Sequence, residues 1–196
     1  MRLGSIARGV ALTAGAVAVG WAAMATDVGR EADAELFASV NRGHGEAADR
    51  VFTGITELGS LYAACAAAGV LAAAGRGRQA GRALAAAGAT WLLGQGVKRV
   101  VDRPRPYEAD PAGTRAMIAP PKGTSWPSSH PAVLTTFTSV AARELGLGAS
   151  ARAAMTGLGA AVGASRVYLG VHYPSDVASG LLMGRALAAI WPRGRR

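Results

Sequence analysis

The sequence predicts an all-α membrane protein, a bundle of six transmembrane helices with short amphipathic helices at one interface. Composition is the first reason, because the chain is 51% hydrophobic yet carries 27 glycines and only 6% aromatic residues. Small residues let helices approach closely in lipid, whereas they bury little apolar area in a soluble core. The second reason is the recurrence of charge-poor windows along one domain, 1–196. The windows are 9–26, 60–75, 83–97, 123–142, 153–165 and 177–190.

The distribution of charge supports the same arrangement. If the N-terminus lies inside, the inner segments carry eleven arginines and one glutamate, while the outer segments carry ten basic and eleven acidic residues. The whole net charge of +9 then lies on one side, as the positive-inside rule expects. We interpret the basicity as membrane topology rather than as a nucleic-acid-binding surface. A multi-pass protein of the cell membrane is the expected result.

The first window leaves two interpretations open. Residues 2–25 contain two arginines, an uncharged run and the sequence Ala23-Met24-Ala25. This pattern fits a retained first span, which we favour, or a secretory signal with an A-x-A cleavage site. Under either interpretation the segment that follows lies outside.

Residues 31–58 carry too many charges to cross a bilayer. Apolar residues recur there at spacings of three and four, which predicts two amphipathic helices with a break at Gly43-His44-Gly45. We expect these helices to lie along the outer interface or over the spans, with His44 as a solvated loop residue. Cys65, the only cysteine, falls within the second span, and we expect it to be buried and unreactive.

Several windows are shorter than the roughly 20 residues that cross hydrocarbon. The fifth window has only 13 residues between Arg152 and Arg166. Arginines at inner ends, such as Arg152 and Arg185, can extend to the interface. Arg166 is different because it lies at the outer end of its span, beside a histidine motif, and it is therefore a functional candidate.

Three polar clusters fall at the outer ends of the third to sixth spans in this topology. They read Lys98-x6-Arg105-Pro106, Pro127-Ser128-Ser129-His130 and Ser165-Arg166-x5-His172-x3-Asp176. Ionisable residues at membrane depth are costly and mark functional sites. We therefore predict a single site that combines three cations, two histidines, one carboxylate and two serines.

The cations of the three clusters suit a phosphoryl group. Lys98, Arg105 and Arg166 can neutralise its oxygens, and arginine offers two parallel hydrogen bonds. Pro131 and Pro174 follow the two histidines closely, and proline favours the first turn of a helix, so we expect both histidines just before helix starts. Helix N-termini bind anions through free N–H groups. These features together predict an oxyanion site.

The two histidines differ in their neighbours. Asp176 lies four residues after His172 and can accept a hydrogen bond from one ring nitrogen, which leaves the other free to attack phosphorus. His130 has no such local carboxylate, and we assign it as general acid for the leaving oxygen and then as general base for water. Taken alone, the His172–Asp176 pair also fits a metal-ligand pair or a salt bridge at a helix start.

The charges around the three clusters argue against a metal ion, and we expect no cofactor. Three fixed cations would repel a metal ion, and few carboxylates are present to bind one. Arg99 and Arg103, beside the first cluster, are interpreted as a solvated cationic collar. Asp102, Glu108 and Asp110 are their expected partners.

The three clusters resemble the signature of the type 2 phosphatidic acid phosphatase superfamily, whose motifs read K-x6-R-P, P-S-G-H and S-R-x5-H-x3-D. They span residues 98–176, and three motifs in this order are highly specific. The resemblance implies a six-helix bundle, a phosphohistidine intermediate and no metal requirement. By position it assigns the nucleophile to His172, its partner to Asp176 and the acid to His130. It assigns phosphate binding to Lys98, Arg105, Ser128 and Arg166.

One position departs from the signature, because Ser129 stands where the family has glycine. If that glycine is needed for a positive φ, serine costs about 1–2 kcal/mol and shifts the loop. If only its backbone N–H is used, serine is harmless and adds a donor. We favour the second interpretation and include Ser129 among the phosphate-binding residues. Ser165 also matches a motif position, and we expect it to form a structural hydrogen bond.

The resemblance implies a lipid phosphate phosphatase whose site also accepts phosphate or vanadate. Expected substrates are a polyprenyl phosphate or diphosphate, a polyprenyl-linked sugar phosphate, phosphatidic acid or phosphatidylglycerophosphate, reached on the extracytoplasmic face. Two alternatives stay open. One is a non-catalytic lipid-binding or transport protein of the same fold. The other is a vanadium-dependent haloperoxidase, although those enzymes are larger and soluble.

Overall fold

Helices make up most of the chain. A computed structural model describes residues 3–194, in which helices are joined by loops and no strand occurs. The α-helices in this part of the chain are α1 (Leu3–Ala25), α2 (Asp27–Asn41), α3 (Glu46–Thr56), α4 (Leu61–Leu71), α5 (Gly77–Lys98), α6 (Pro106–Ala109), α7 (Ser129–Glu144), α8 (Ala149–Tyr168) and α9 (Pro174–Ile190). A 3-10 turn, Glu57–Gly59, precedes α4, and a turn at Ala72–Arg76 separates α4 from α5. The all-α prediction is confirmed.

The central helix of the bundle is α7. It packs against α5, α8 and α9, and eleven of its sixteen residues are buried. A Cβ atom added at Gly184 of α9 would lie 2.5 Å from the carbonyl oxygen of Ala132. One added at Gly163 of α8 would lie 2.4 Å from a methyl carbon of Val177. The small residues seen in the composition therefore lie where helices touch most closely.

Helix α1 runs antiparallel to α9 along the outside of the bundle. A Cβ atom at Gly9 would lie 2.4 Å from the Ile190 side chain, near the end of α9. About two turns further along α1, the Ala16 carbonyl accepts a hydrogen bond from the Ser179 hydroxyl at 2.9 Å. Small residues again permit the close approach, and a buried serine adds a polar anchor between the two helices.

Helices α2 and α3 pack over the end of the bundle at which α8 finishes. The prediction of two amphipathic helices with a break at Gly43–Gly45 is confirmed, since α2 ends at Asn41 and α3 begins at Glu46. The Asn41 amide donates to the carbonyls of Arg115 and Tyr168 at 3.0 and 2.8 Å. These bonds fasten the break between the two helices to the bundle.

Among the described helices, one is by itself long and apolar enough to cross a membrane, Leu3–Ala25. Glu46–Gly59 and Leu61–Lys98 satisfy the same criteria only together, as a pair bent by 67°. Helices α7 and α9 have only 16 and 17 residues. Each charge-poor window lies largely within a helix or its turn, but helix length and hydropathy do not confirm the six-span count.

Two local expectations are wrong. Ser128 is extended and Ser129 begins α7, so His130 is the second residue of the helix rather than the residue before it. Cys65 is exposed instead of buried. Helix α4 buries Ala64 and Ala68, and Cys65 points away from that face because successive helical residues are about 100° apart.

Candidate active site

The three motifs converge on a cavity of about 450 Å³ at one end of the bundle, here called the outer cavity. The predicted residues that line it are Lys98, Arg105, Ser129, His130, Arg166 and His172. Ser128 and Asp176 lie behind this surface, and both are fully buried. Lys98 and Asp176 are 78 positions apart in the sequence. The fold thus gathers distant residues into one site, as the motifs predict.

Backbone carbonyls of the loop before α7 hold two of the cations in place. Arg105 donates to the carbonyl of Gly123 at 2.9 Å and to that of Thr124 at 3.3 Å. Lys98 donates to the carbonyls of Thr124 and Ser125. Burial lowers the pKa of the Arg105 guanidinium, yet arginine stays charged in proteins. The first motif is therefore fixed to the loop that leads into the second motif.

Arg166 and the two serines leave polar atoms unused. Arg166 is buried in the last turn of α8, where one Nη donates to Thr56 Oγ1 at 2.8 Å. Within residues 3–194 its Nε has no hydrogen-bond partner, and neither do the hydroxyls of Ser128 and Ser129. A buried polar group without a partner costs about 1–3 kcal/mol. Three such groups in and beside a cationic cavity suit an anion.

Ser129 does not need the backbone freedom of glycine. It is the first residue of α7, and within the described chain only glycines have a positive φ. Serine is therefore accommodated without left-handed strain, in agreement with the favoured interpretation. A Cβ atom added at Gly94 of α5 would lie 3.3 Å from Ser129 Oγ, so α5 leaves room for the hydroxyl by carrying glycine opposite it.

His172 lies in the loop between α8 and α9 and is almost fully buried. Its Nδ1 lies 3.4 Å from Asp176 Oδ2, and its Nε2 lies 3.2 Å from Arg105 Nη1. A hydrogen on Nδ1 would face the carboxylate, which leaves the Nε2 lone pair on the side of the cations. Burial lowers the pKa of the His172 imidazole well below its usual range, although the hydrogen bond with Asp176 acts in the opposite direction. The neutral ring is therefore favoured.

Asp176 lies in the first turn of α9, and four groups contact its carboxylate. Its Oδ2 accepts hydrogen bonds from the Tyr173 backbone N–H at 2.9 Å and from the Ser125 hydroxyl, besides facing His172. Its Oδ1 accepts from Arg103 at 2.5 Å. These bonds fix the carboxylate rotamer and thereby orient the imidazole, so Ser125 and Arg103 belong to the site as well.

Arg103 corrects one sequence-based interpretation. It is not a solvated collar residue but is 8% exposed, and it bridges Asp176 to Asp33 of α2, with its Nη2 2.7 Å from Asp33 Oδ2. Asp33 also accepts from the Ser175 backbone N–H at 2.9 Å. The guanidinium lies 4.3 Å above the Tyr173 ring. A carboxylate on each side neutralises Arg103, which is why its charge can be buried.

The sequence contains a signal for Asp33 that the motif search does not use. Helix α2 buries Asp33, Phe37 and Asn41, which are spaced four residues apart and so share one face. A carboxylate in register with an apolar stripe must find a buried partner. No residue near Arg103 in the sequence indicates that Arg103 is buried, because its partner Asp33 lies 70 residues earlier.

Two remaining motif residues occupy different environments. His130 faces the outer cavity from α7, next to the 3-10 turn, and a Cβ atom at Gly59 would lie 2.7 Å from His130 Cβ. Ser165 is buried away from the cavity and donates to the Val162 carbonyl at 2.6 Å. Gly59 is thus a contact that the motifs do not reveal, and the Ser165 bond is of the structural kind expected.

The charged residues that line the outer cavity are all basic: Lys98, Arg105, Lys122 and Arg166. Among residues 3–194, no three His, Cys, Asp or Glu side chains gather as metal ligands would. Cations set around a cavity stabilise a phosphate group through charge-assisted hydrogen bonds.

Comparison with known proteins decides the family. The profile of the PAP2 superfamily matches residues 78–196, which contain all three motifs and more than half of the chain. This chain belongs to the PAP2 superfamily. The resemblance drawn from the motifs is therefore confirmed.

Several known proteins resemble the chain in sequence or in fold. Decaprenylphosphoryl-5-phosphoribose phosphatase of Mycobacterium tuberculosis, from strains CDC 1551 and H37Rv, is 36% identical over 94 residues, 48% of this chain and 49% of the relative. The chain thus spans about half the length of the curated relatives it matches. The transmembrane PAP2-type phosphatidylglycerolphosphate phosphatase of Bacillus subtilis has a TM-score of 0.80 at 24% identity, with 92% of both chains covered. LpxE of Aquifex aeolicus has a TM-score of 0.71 at 26% identity, covering 80% of this chain and 92% of its own.

Proposed function

We propose that this PAP2 protein is a phosphatase that hydrolyses a phosphomonoester or diphosphate of a membrane lipid through a phosphohistidine intermediate. The observation that carries the proposal is the orientation of His172, whose Nε2 faces Arg105 while Nδ1 faces Asp176. In this proposal Nε2 attacks phosphorus while the carboxylate holds Nδ1. The phosphatase names of the M. tuberculosis relatives support the same reaction.

Phosphate binding falls to the residues around His172. Lys98, Arg105 and Arg166 would bind the phosphoryl oxygens, assisted by Ser128 and Ser129. The unpartnered Nε of Arg166 and the two serine hydroxyls are available donors. Phosphoryl transfer depends mainly on positioning and charge stabilisation, and cations fixed by backbone carbonyls need little rearrangement to provide both.

The reaction then has two steps. The His172 Nε2 lone pair forms a bond to phosphorus while the bond between phosphorus and the lipid oxygen breaks, and His130 donates its proton to the leaving oxygen. Water next attacks the phosphohistidine, the P–N bond breaks, and His130 takes a proton from the water. Free phosphate leaves, and both histidines return to their starting states. Asp176 stays ionised throughout and orients His172.

One wall of the outer cavity supports a lipid substrate. Leu61, Tyr62 and Cys65 of α4 and Trp91 of α5 line the cavity beside the cations. Tyr62 is 89% exposed and Trp91 is 38% exposed, so this wall reaches the outside of the bundle. An acyl or prenyl chain can lie against these side chains while its phosphate meets the cations.

A polyprenyl-linked sugar phosphate is our preferred substrate class. The basis is the name of the M. tuberculosis relatives, which are 36% identical over about half the chain. Polyprenyl phosphates or diphosphates, phosphatidic acid and phosphatidylglycerophosphate are the other candidates. We also propose six spans formed by α1, α4, α5, α7, α8 and α9, with the N-terminus inside and the outer cavity on the extracytoplasmic face. The sorting of charge between the two sides supports this topology.

The test is phosphate release by the purified full chain in detergent from a panel of these lipids, with glycerol 3-phosphate as a substrate that lacks the chain. We expect turnover of lipid phosphates in EDTA, a much lower kcat/KM for glycerol 3-phosphate, and the highest kcat/KM with the polyprenyl-linked sugar phosphate. Loss of turnover on chelation would contradict a metal-independent mechanism. Tight lipid binding without turnover would favour the non-catalytic alternative.

The intermediate has its own test. A lipid substrate labelled with ³²P should give a phosphoprotein that survives alkali and is lost in acid after rapid quenching, as a phosphoramidate requires. The His172→Ala variant should give no label and no turnover, whereas His44→Ala, in an exposed loop, should behave as the wild type. Full activity of His172→Ala would exclude the covalent mechanism.

A further inference from the structure

A second cavity, of about 280 Å³, lies at the opposite end of the bundle, here called the inner cavity. Four helices contribute to its wall, and five of its lining residues are arginines. They are Arg8 of α1, Arg143 of α7, Arg152 of α8, Arg185 of α9 and Arg193 just beyond α9. No acidic residue of the described chain lines it.

The inner cavity is separate from the outer one. His130 lies at the start of α7 and Arg143 near its end, thirteen residues later, which is roughly 20 Å along a helix axis. The two cavities share no lining residue. Binding at one is therefore distinguishable from binding at the other.

Most of the arginines of the inner cavity are not neutralised by the protein. Within residues 3–194 the side chains of Arg8, Arg152, Arg185 and Arg193 form no ion pair or hydrogen bond. Glu144, the acid nearest in sequence, is bound by Arg82 and Arg143 and lines the neighbouring groove instead. Like charges brought together repel one another unless an anion lies between them.

Membrane topology explains why arginines lie at this end but not why they converge. The positive-inside rule needs basic residues in the inner segments, and Arg76 and Arg78 satisfy it without lining the cavity. Five arginines from separate segments facing one concave space is a further property, since a solvated side chain gains nothing by pointing at like charges. It is the arrangement expected of an anion site.

The other walls of the inner cavity indicate which anion. Thr135, Thr138 and Ser139 of α7 supply hydroxyls, while Met155 and Ala189 supply apolar surface. The volume equals that of roughly nine water molecules in liquid, which is room for a phosphate and adjoining glycerol carbons. Basic pockets between membrane helices on the inner side suit anionic lipid head groups.

We propose that the inner cavity binds the phosphate head group of an anionic phospholipid. Arg152 and Arg185 would contact the phosphate, Arg8 would close the side of α1, and the apolar residues would meet the glycerol and the first acyl carbons. The lipid would thereby link α1, α7, α8 and α9 at an end where these helices otherwise carry mutually repelling charge. The inner leaflet follows from the proposed topology, whereas the cavity and its test do not depend on catalysis.

The test compares two double variants, each of which removes two inner-face charges. Arg152→Gln with Arg185→Gln changes the inner cavity, and Arg76→Gln with Arg78→Gln is the matched control. Full-length protein in nonionic detergent is titrated with phosphatidylglycerol, with phosphatidylcholine or with inorganic phosphate, while the thermal unfolding midpoint is followed. Native mass spectrometry counts the lipids retained. Any lipid held at the outer cavity contributes equally to all variants.

Phosphatidylglycerol should raise the midpoint by several degrees in the wild type and the control, and by less than half as much in the cavity variant. The cavity variant should also retain one phosphatidylglycerol fewer. Equal shifts in both double variants, or equal shifts with phosphatidylcholine, would overturn the proposal. A shift by inorganic phosphate as large as that by the lipid would assign the site to the free anion instead. If the cavity variant does not fold, Arg8→Gln, at an exposed residue, gives the same comparison.

Discussion

The outer and inner cavities are both lined by basic residues, but they hold their charges differently. In the outer cavity, Arg105 and Lys98 donate to backbone carbonyls and Arg166 donates to Thr56. In the inner cavity, the side chains of Arg152 and Arg185 form no ion pair or hydrogen bond within the described residues. Arg143 is the exception there, since it donates to the Ala188 carbonyl at 2.8 Å.

This difference separates two uses of positive charge. Cations fixed before the ligand arrives cost no reorganisation during a reaction, which is what stabilisation of a transition state needs. Flexible cations lose side-chain entropy when they close on a ligand, which suits reversible binding of a head group. We expect outer substitutions to lower kcat and inner substitutions to alter lipid binding and stability.

The largest expected effect is on catalysis at the outer cavity. Arg166→Gln should lower kcat/KM for the lipid phosphate by about 10²–10³-fold, the usual cost of removing one fixed donor from a charge-stabilising site. Arg166→Lys should recover only part of this loss, because an ammonium group cannot donate to Thr56 and to phosphate in the same planar arrangement. Steady-state phosphate release measures both, and Arg78→Gln at the inner end should be unchanged. A loss below tenfold would remove the distinction between the cavities.

The next largest effect should be a loss of stability when the buried ion bridge between Asp33, Arg103 and Asp176, behind the outer cavity, is broken. Asp33→Asn should lower the free energy of unfolding by about 3 kcal/mol, the low end for breaking a buried ion pair, because Asp176 still faces Arg103. For a chain of this size that is a fall in Tm of roughly 6–12 °C. The control is Asp27→Asn, whose pair with Arg30 is exposed and should change Tm little. Equal small shifts would show that Arg103 does not need its second carboxylate.

The pH profile tests the burial of the outer site. His172 must be neutral to attack, and burial lowers its pKa well below 6.5. The acid limb of the kcat/KM profile should therefore lie below pH 6.5, and kcat/KM should drop about tenfold for each pH unit below that pKa. Asp176→Asn removes the group that raises the His172 pKa, and it should move the acid limb lower on the same substrate. Substrate ionisation is common to both proteins, so an upward move would contradict the assignment.

The smallest effect should come from Ser129. Ser129→Gly restores the residue of the family signature and keeps the backbone N–H at the start of α7, so kcat/KM should change by less than about threefold. Ser129→Ala removes only the hydroxyl and is the matched comparison. A tenfold loss in both variants would instead make the Ser129 hydroxyl a principal phosphate donor.

The sequence predicted the convergence of the site because the predicted topology places all three motifs at the outer ends of the third to sixth spans. Lys98, Arg105, His130, Arg166 and His172 all line the outer cavity. Their roles remain predictions. The helix pattern of α2 and α3 was also predictable, since amphipathic spacing is a local property.

What the sequence could not predict depends on long-range packing. Arg103 looked solvated because its partner Asp33 lies on a helix 70 residues earlier, and only the docking of α2 brings them together. Cys65 looked buried because an apolar window does not show which face of α4 packs. The start of α7 was misplaced by two residues because proline is tolerated throughout a first helical turn, not only at its first position.

Asp33 and Thr56 also show that the recognisable part of the chain is smaller than its working part. Both lie before residue 78, outside the segment that matches the superfamily profile, yet one neutralises Arg103 and the other anchors Arg166. A graft of 78–196 onto a foreign bundle would carry every signature residue and leave Arg103 with one carboxylate and Arg166 without its hydroxyl. Whoever transplants this site must bring along the two helices that no motif marks.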